Sequence, residues 1–216
     1  MTRRKGGTGQ GAAGAGVVER GAVLDVSALP SYVFGARSVM WWGTLGVVAI
    51  EGVVFALAIG AYFYLRTLAD AWPSGFPPPD LAWGTINTLV MLASIAPNQW
   101  TKHAAERRDL ATVRIGMLVC LAVAALFLGL RVLEFRSLNV AWDSNAYGSI
   151  VWLLLGLHTV HLLTDFFDST VLAVLMHTGP LEGRRFVDVA ENAVYWDFVV
   201  LAWLPIYVVI YWAPRF

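Results

Sequence analysis

Five apolar runs dominate the chain: Val39–Leu65, Leu81–Trp100, Leu110–Leu133, Tyr147–Met176 and Glu191–Trp212, each 20 residues or longer. A hydrocarbon layer of about 30 Å is crossed by about 20 residues of helix. The runs are continuous rather than alternating, so they do not read as barrel strands, and lipid forbids open sheet edges. With 58% hydrophobic and only 14% charged residues, the chain lies far from the usual composition of a soluble domain. The expectation is an all-α, polytopic membrane protein with five transmembrane helices in one domain, residues 37–216.

Residues 1–36 differ in kind. A Gly/Ala run from Gly6 to Gly16 follows Arg3, Arg4 and Lys5 and has no apolar core of a secretory signal, so a cytoplasmic N-terminal tail is expected. Basic residues set the orientation. Eleven of the fifteen, including Arg37, Lys102, Arg107, Arg108, Arg184 and Arg185, fall on the N-terminal side or in the loops that share it, and only Arg66, Arg131, Arg136 and Arg215 fall opposite. The positive-inside bias then places the N-terminus in the cytoplasm and the C-terminus outside. The single cysteine, Cys120, rules out an intrachain disulfide, and a net charge of zero argues against a nucleic-acid partner.

Ionisable residues within apolar spans are costly and usually face a bundle interior, a partner or water. The fourth run carries His158, His161, Asp165 and Asp168, which at about 100° per residue fall within an arc of roughly 80°. Glu51 lies near the middle of the first run, where a charged carboxylate costs on the order of 2.5–3.5 kcal/mol, so it must be protonated, paired or wet. Asp165, four residues after His161, has the spacing for a local hydrogen bond. Arg131 and Glu134 read as a pair that reaches the membrane interface by snorkelling. Asn87, Glu191 and Asp197 complete the set as candidate helix-packing contacts. Small residues at four-residue spacing, Gly52, Ala56 and Gly60 in the first run and Ala125 and Gly129 in the third, predict close helix approach.

Two histidines three residues apart, His158 and His161, invite a metal or haem reading. A metal site generally takes three or more ligands, and neighbours on one helix cannot bracket one iron, so no metal site is expected. No nucleophile with a base and no phosphate loop is visible. A small transporter and a b-type electron carrier are the readings from other classes that a polar seam at membrane depth leaves open.

A further reading comes from Ile50-Glu51-Gly52-Val53-Val54-Phe55, Ile86-Asn87-Thr88 with Ala93-Ser94, Arg131 with Glu134, Tyr147-Gly148-Ser149, Gly156-Leu157-His158-Thr159-Val160-His161, and Tyr195-Trp196-Asp197-Phe198-Val199 followed by Trp203 and Tyr211-Trp212. Together they resemble subunit III of haem–copper terminal oxidases, in the short five-helix form, from about Met40 to Trp212. The resemblance implies a multi-pass subunit of a bacterial cytoplasmic membrane, packed against the catalytic subunit I that holds haem and copper. It implies no redox centre and no catalytic residue in this chain, bound phospholipid in a cleft, and support of proton uptake by subunit I. By matching position, Glu51, His158 and His161 would line that cleft or its helix contacts, with Asp165 beside them, and Arg131 and Glu134 would lie near the outer surface. The family commonly reads Tyr-Trp-His-Phe-Val-Asp in the last span; Asp197 stands here for the histidine and Val200 for the aspartate. The branch that the resemblance favours is a cytochrome c oxidase, with an accessory subunit of a quinol oxidase or a nitric oxide reductase as the alternative.

Overall fold

The computed structural model describes residues 32–216 apart from Ser74 and Leu181. Most of the expected 1–36 tail therefore lies outside the described residues. Five helices follow in order: α1 (Val39–Leu68), α2 (Leu81–Glu106), α3 (Leu110–Arg136), α4 (Ala146–Thr178) and α5 (Gly183–Tyr207). No strand occurs among the described residues. Every helix but α4 runs three or more residues past at least one end of its apolar run, and α5 begins eight residues ahead of its run. Polar first and last turns extend a helix beyond the apolar stretch that hydropathy detects.

Local chemistry sets several ends. Ser38 caps α1 by accepting the Met40 N–H at 3.1 Å, Asp109 caps α3 through the Thr112 N–H at 3.3 Å, and Asn145 caps α4 through the Gly148 N–H at 2.8 Å. Each satisfies one of the orphan donors of a first turn. Pro77, Pro78 and Pro79 precede α2, where their missing N–H groups and fixed φ bar helix until Leu81. Pro205 lies inside α5, and a π-helical turn, Val208–Trp212, follows within three residues.

Four helices close a ring in which α2 packs on α3 and α5, and α4 packs on α3 and α5. α1 lies outside that ring, against α4 and α5. Four helices, α1, α3, α4 and α5 with the turns that continue it to Arg215, are long and apolar enough to cross a membrane. At 26 residues, α2 is about 39 Å long; its apolar content is what falls short. The reason is visible in its contacts. Thr85 shares a hydrogen bond with Tyr207 (2.7 Å), Thr88 accepts from Trp203 Nε1 (2.8 Å), Ser94 accepts from Trp196 Nε1 (2.9 Å), and Asn98 Nδ2 donates to the Ala193 carbonyl (2.9 Å). Its polar residues form a ladder to α5 instead of facing lipid. Interhelical bonds of this kind average about 0.6 kcal/mol in membranes, so the ladder fixes register more than it adds stability.

Of the small residues whose spacing predicts close approach, Gly52 faces Phe198 of α5, 3.8 Å from an added Cβ, and the others do not pack against the described residues. Ala56, Gly60, Ala125 and Gly129 are exposed, and a Cβ at Gly60 or Gly129 would meet nothing within 4 Å. The tight contacts are elsewhere: a Cβ on Gly84 would strike the Tyr211 ring, one on Gly116 the Thr101 side chain, and one on Gly148 the Ala141 carbonyl. Spacing marks a smooth helix face, but only the neighbour decides whether that face is used.

Candidate functional site

Most of the ionisable residues singled out in the sequence gather at two places. The first lies toward the end of the ring shared by the start of α2 and the turn after α5. Arg131 Nη1 donates to Glu134 Oε2 at 2.8 Å, with Arg131 1% and Glu134 0% exposed. Asn87 Nδ2 donates to the same carboxylate oxygen at 2.7 Å, and the Tyr211 hydroxyl donates to the other at 2.6 Å. The guanidinium lies over the Trp203 ring, 4.2 Å from its centroid, and its Nη2 donates to His158 Nδ1 at 3.2 Å. Because arginine only donates, His158 Nδ1 must accept. Its Nε2–H then donates to the Val199 carbonyl at 3.0 Å. Both imidazole nitrogens are thereby engaged in hydrogen bonds.

Arg131 and Glu134 form the expected pair, and its side chains are buried in the bundle rather than exposed on the protein surface. Snorkelling is an escape from an unmet charge, and here Glu134, His158 and Trp203 meet it inside the bundle. Tyr211 and Trp203 are members that sequence reading missed as partners. Nothing in their spacing marks them, since each joins from α5 or the turn beyond it.

The second place is a cleft of about 620 Å³ between α1, α4 and α5. Glu51, Asp165, Asp168, Asp188 and Glu191 line it, with Arg184 among its walls. Here the expected His161–Asp165 hydrogen bond is absent. His161 Nδ1 donates to the Leu157 carbonyl at 2.7 Å, and Nε2 faces Glu51 Oε2 at 3.6 Å. The backbone carbonyl one turn earlier outcompetes the side chain one turn later, and the ring turns toward α1. Asp165 instead adjoins Ser169, whose hydroxyl oxygen accepts from Asn192 at 2.8 Å. Four buried carboxylate oxygens along the cleft, on Glu51, Asp165, Asp188 and Glu191, have no hydrogen-bond partner in the protein.

Asp197, in the place of the family's histidine, accepts from Asn98 Nδ2 at 3.1 Å and Gln99 Nε2 at 2.5 Å. It joins the α2–α5 ladder. Val200 is fully buried in the apolar core. Among the described residues no group of three or more His, Cys, Asp and Glu side chains is placed to hold a metal ion.

These features define a multi-pass helical membrane protein with one closed cluster and one open cleft of charged residues. The sequence matches the family described as cytochrome c oxidase subunit III over residues 40–214, and the chain belongs to that family. It is thus a subunit III-like subunit of a haem–copper oxidase. Cytochrome c oxidase subunit 3 of Thermostichus vulcanus is similar at 25% identity over 177 residues, covering 81% of this chain and 87% of that protein. The heme-copper oxidase subunit I+III of Aeropyrum pernix is 27% identical over 185 residues, 81% of this chain but 22% of that longer protein. Against cytochrome c oxidase subunit 3 of Arabidopsis thaliana the identity is 26% over 171 residues, and the match covers 64% of that protein.

Proposed function

We propose that this chain is a non-redox subunit packed against catalytic subunit I of a bacterial cytochrome c oxidase, crossing the cytoplasmic membrane five times. In this reading the N-terminus is cytoplasmic and the C-terminus outside, as the eleven-to-four division of basic residues favours. α2 is the fifth span; its polar ladder is paired with α5, so no polar row is left facing lipid. Haem and copper reside in subunit I. The cleft of α1, α4 and α5 holds phospholipid, and the chain supports proton uptake and durable turnover by its partner, with Glu51, His161 and Asp165 as the residues of that cleft.

The observation that carries the reading is the family match across residues 40–214, joined to a relative whose name combines subunits I and III in one protein. A subunit III region covalently tied to subunit I must share its membrane. The exposed apolar face of α1, which includes Ile50, Val53 and Leu57, is available for such a neighbour. Affinity purification of the tagged chain from mild detergent tests it. A haem–copper subunit with its absorption bands is expected in the eluate, and oxidase activity followed over many turnovers should decay faster without this chain. Recovery of a solitary, colourless protein from active membranes would sink the proposal.

A further inference from the structure

Four orphaned carboxylate oxygens on one cleft call for donors, because a buried polar atom without a partner is destabilising. Among the described residues the protein gives none of them a hydrogen bond, and only Glu51 Oε2 has an ion-pair partner, His161 Nε2 at 3.6 Å. An acyl chain has no donor to give. Beyond the cleft wall lies a second space, a narrow cavity of about 20 Å³ among α2, α3, α4 and α5. One water needs about 10–15 Å³ of such volume and two to four polar partners. The cavity meets both conditions: Ser94, Asn98, Thr101 and Cys120 line it together with Asp165.

Asp165 and Asn192 line both spaces. Asp165 is 3% exposed, and its Oδ1 is one of the orphans. The cleft lining extends along α1 from Met40 to Glu51, about 16 Å at 1.5 Å per residue, which is half the thickness of a hydrocarbon layer. We propose that the acidic inner wall of the cleft, beside the phospholipid at its mouth, is an aqueous vestibule and that Asp165, with Asn192, is the port through which water passes to an ordered water site in the inner cavity. Water in the vestibule completes the hydrogen bonding of Glu51, Asp188 and Glu191. The inner water donates to Asp165 Oδ1 and rests against the polar groups of α2 and α3. The inner cavity has room for water. This inference goes beyond the subunit's role in an oxidase and stands independently of which partner the chain meets.

Radiolytic hydroxyl-radical labelling of the full chain in its native membrane reads the water directly, since radicals form from bound water and oxidise the nearest reactive side chains. Met117, 3% exposed, and Trp196, 6% exposed, line the inner cavity; Met91 and Trp203, both 0% exposed, do not. Oxidation of Met117 and Trp196 is expected to exceed that of Met91 and Trp203 several-fold, and after rapid mixing with H₂¹⁸O the added oxygen should carry the heavy isotope. Asp165→Leu, which fills the port, should cut Met117 oxidation several-fold, whereas Asp165→Asn should keep it. Equal labelling of the two methionines in the unaltered chain overturns the inference without any variant. So does undiminished labelling in a folded Asp165→Leu chain.

Discussion

The buried cluster around Arg131 and the cleft around Asp165 use the same kinds of side chain in opposite ways. In the cluster, one cation and one carboxylate are matched, and Asn87, Tyr211, His158 and Trp203 take up most of the remaining donors and acceptors, with Asn87 Oδ1 and Arg131 Nε left without a hydrogen bond. In the cleft, five acids share a wall with one arginine, and four oxygens are left open. The difference teaches that burial alone does not specify a role. A charge group closed on itself holds helices in register, and one left open must trade with something that is not protein.

The largest effect should come from breaking the closed side. Arg131→Met leaves Glu134 charged and unmatched, a loss of about 3–5 kcal/mol, to be read as a lowered midpoint of unfolding in detergent; adding Glu134→Gln should restore much of it. A loss under about 1 kcal/mol for the single variant would show that the cluster is not charge-compensated, since exposed pairs fall in that range. Next, Tyr211→Phe removes one bond to the carboxylate and should cost about 1.5–3 kcal/mol. The same unfolding measurement, with Tyr207→Phe as a comparison, tests whether the charged acceptor matters.

On the open side, effects should shrink. Asp188→Asn keeps shape in a hydrated wall and should alter stability by no more than about 0.5 kcal/mol; a loss as large as that of Tyr211→Phe would erase the contrast between the two regions. Smallest and most local is the cap of α3, which belongs to neither. The hydroxyl and the N–H of Thr112 bond to the Asp109 carboxylate and hold it below the ordinary carboxylate range. A depressed carboxyl contributes its stability above its unfolded pKa and loses it as pH falls through the lowered folded value. Amide exchange in the first turn of α3 should therefore quicken on acidification below about pH 4, and Asp109→Asn should remove that dependence.

Much of the helical plan was legible from run length, because a hydrocarbon layer dictates how many apolar residues a span requires. The starts of α1, α2 and α3 coincide with the first residues of their runs. The start of α5 does not, since Arg184, Arg185 and Asp188 hide a helix that tertiary contacts extend. The site was legible in its members more than in its pairings. Spacing brought Arg131 to Glu134 and grouped His158, His161 and Asp165 on one face. It gave no view of Tyr211 or of the Leu157 carbonyl that turns His161 away from Asp165, because those choices are made by other helices or by the backbone. Small-residue spacing failed for the same reason at Gly129, where no neighbour arrives.

The α2–α5 ladder carries a consequence for how the chain is made. A ribosome delivers α2 to the insertion machinery before α3, α4 and α5 exist, so Thr88, Ser94 and Asn98 enter lipid, or wait beside the translocon, with their future partners still unsynthesised. Lateral release of α2 should therefore be slow and should quicken only once Trp196 and Trp203 have emerged, which makes the last helix of the chain a chaperone for the second.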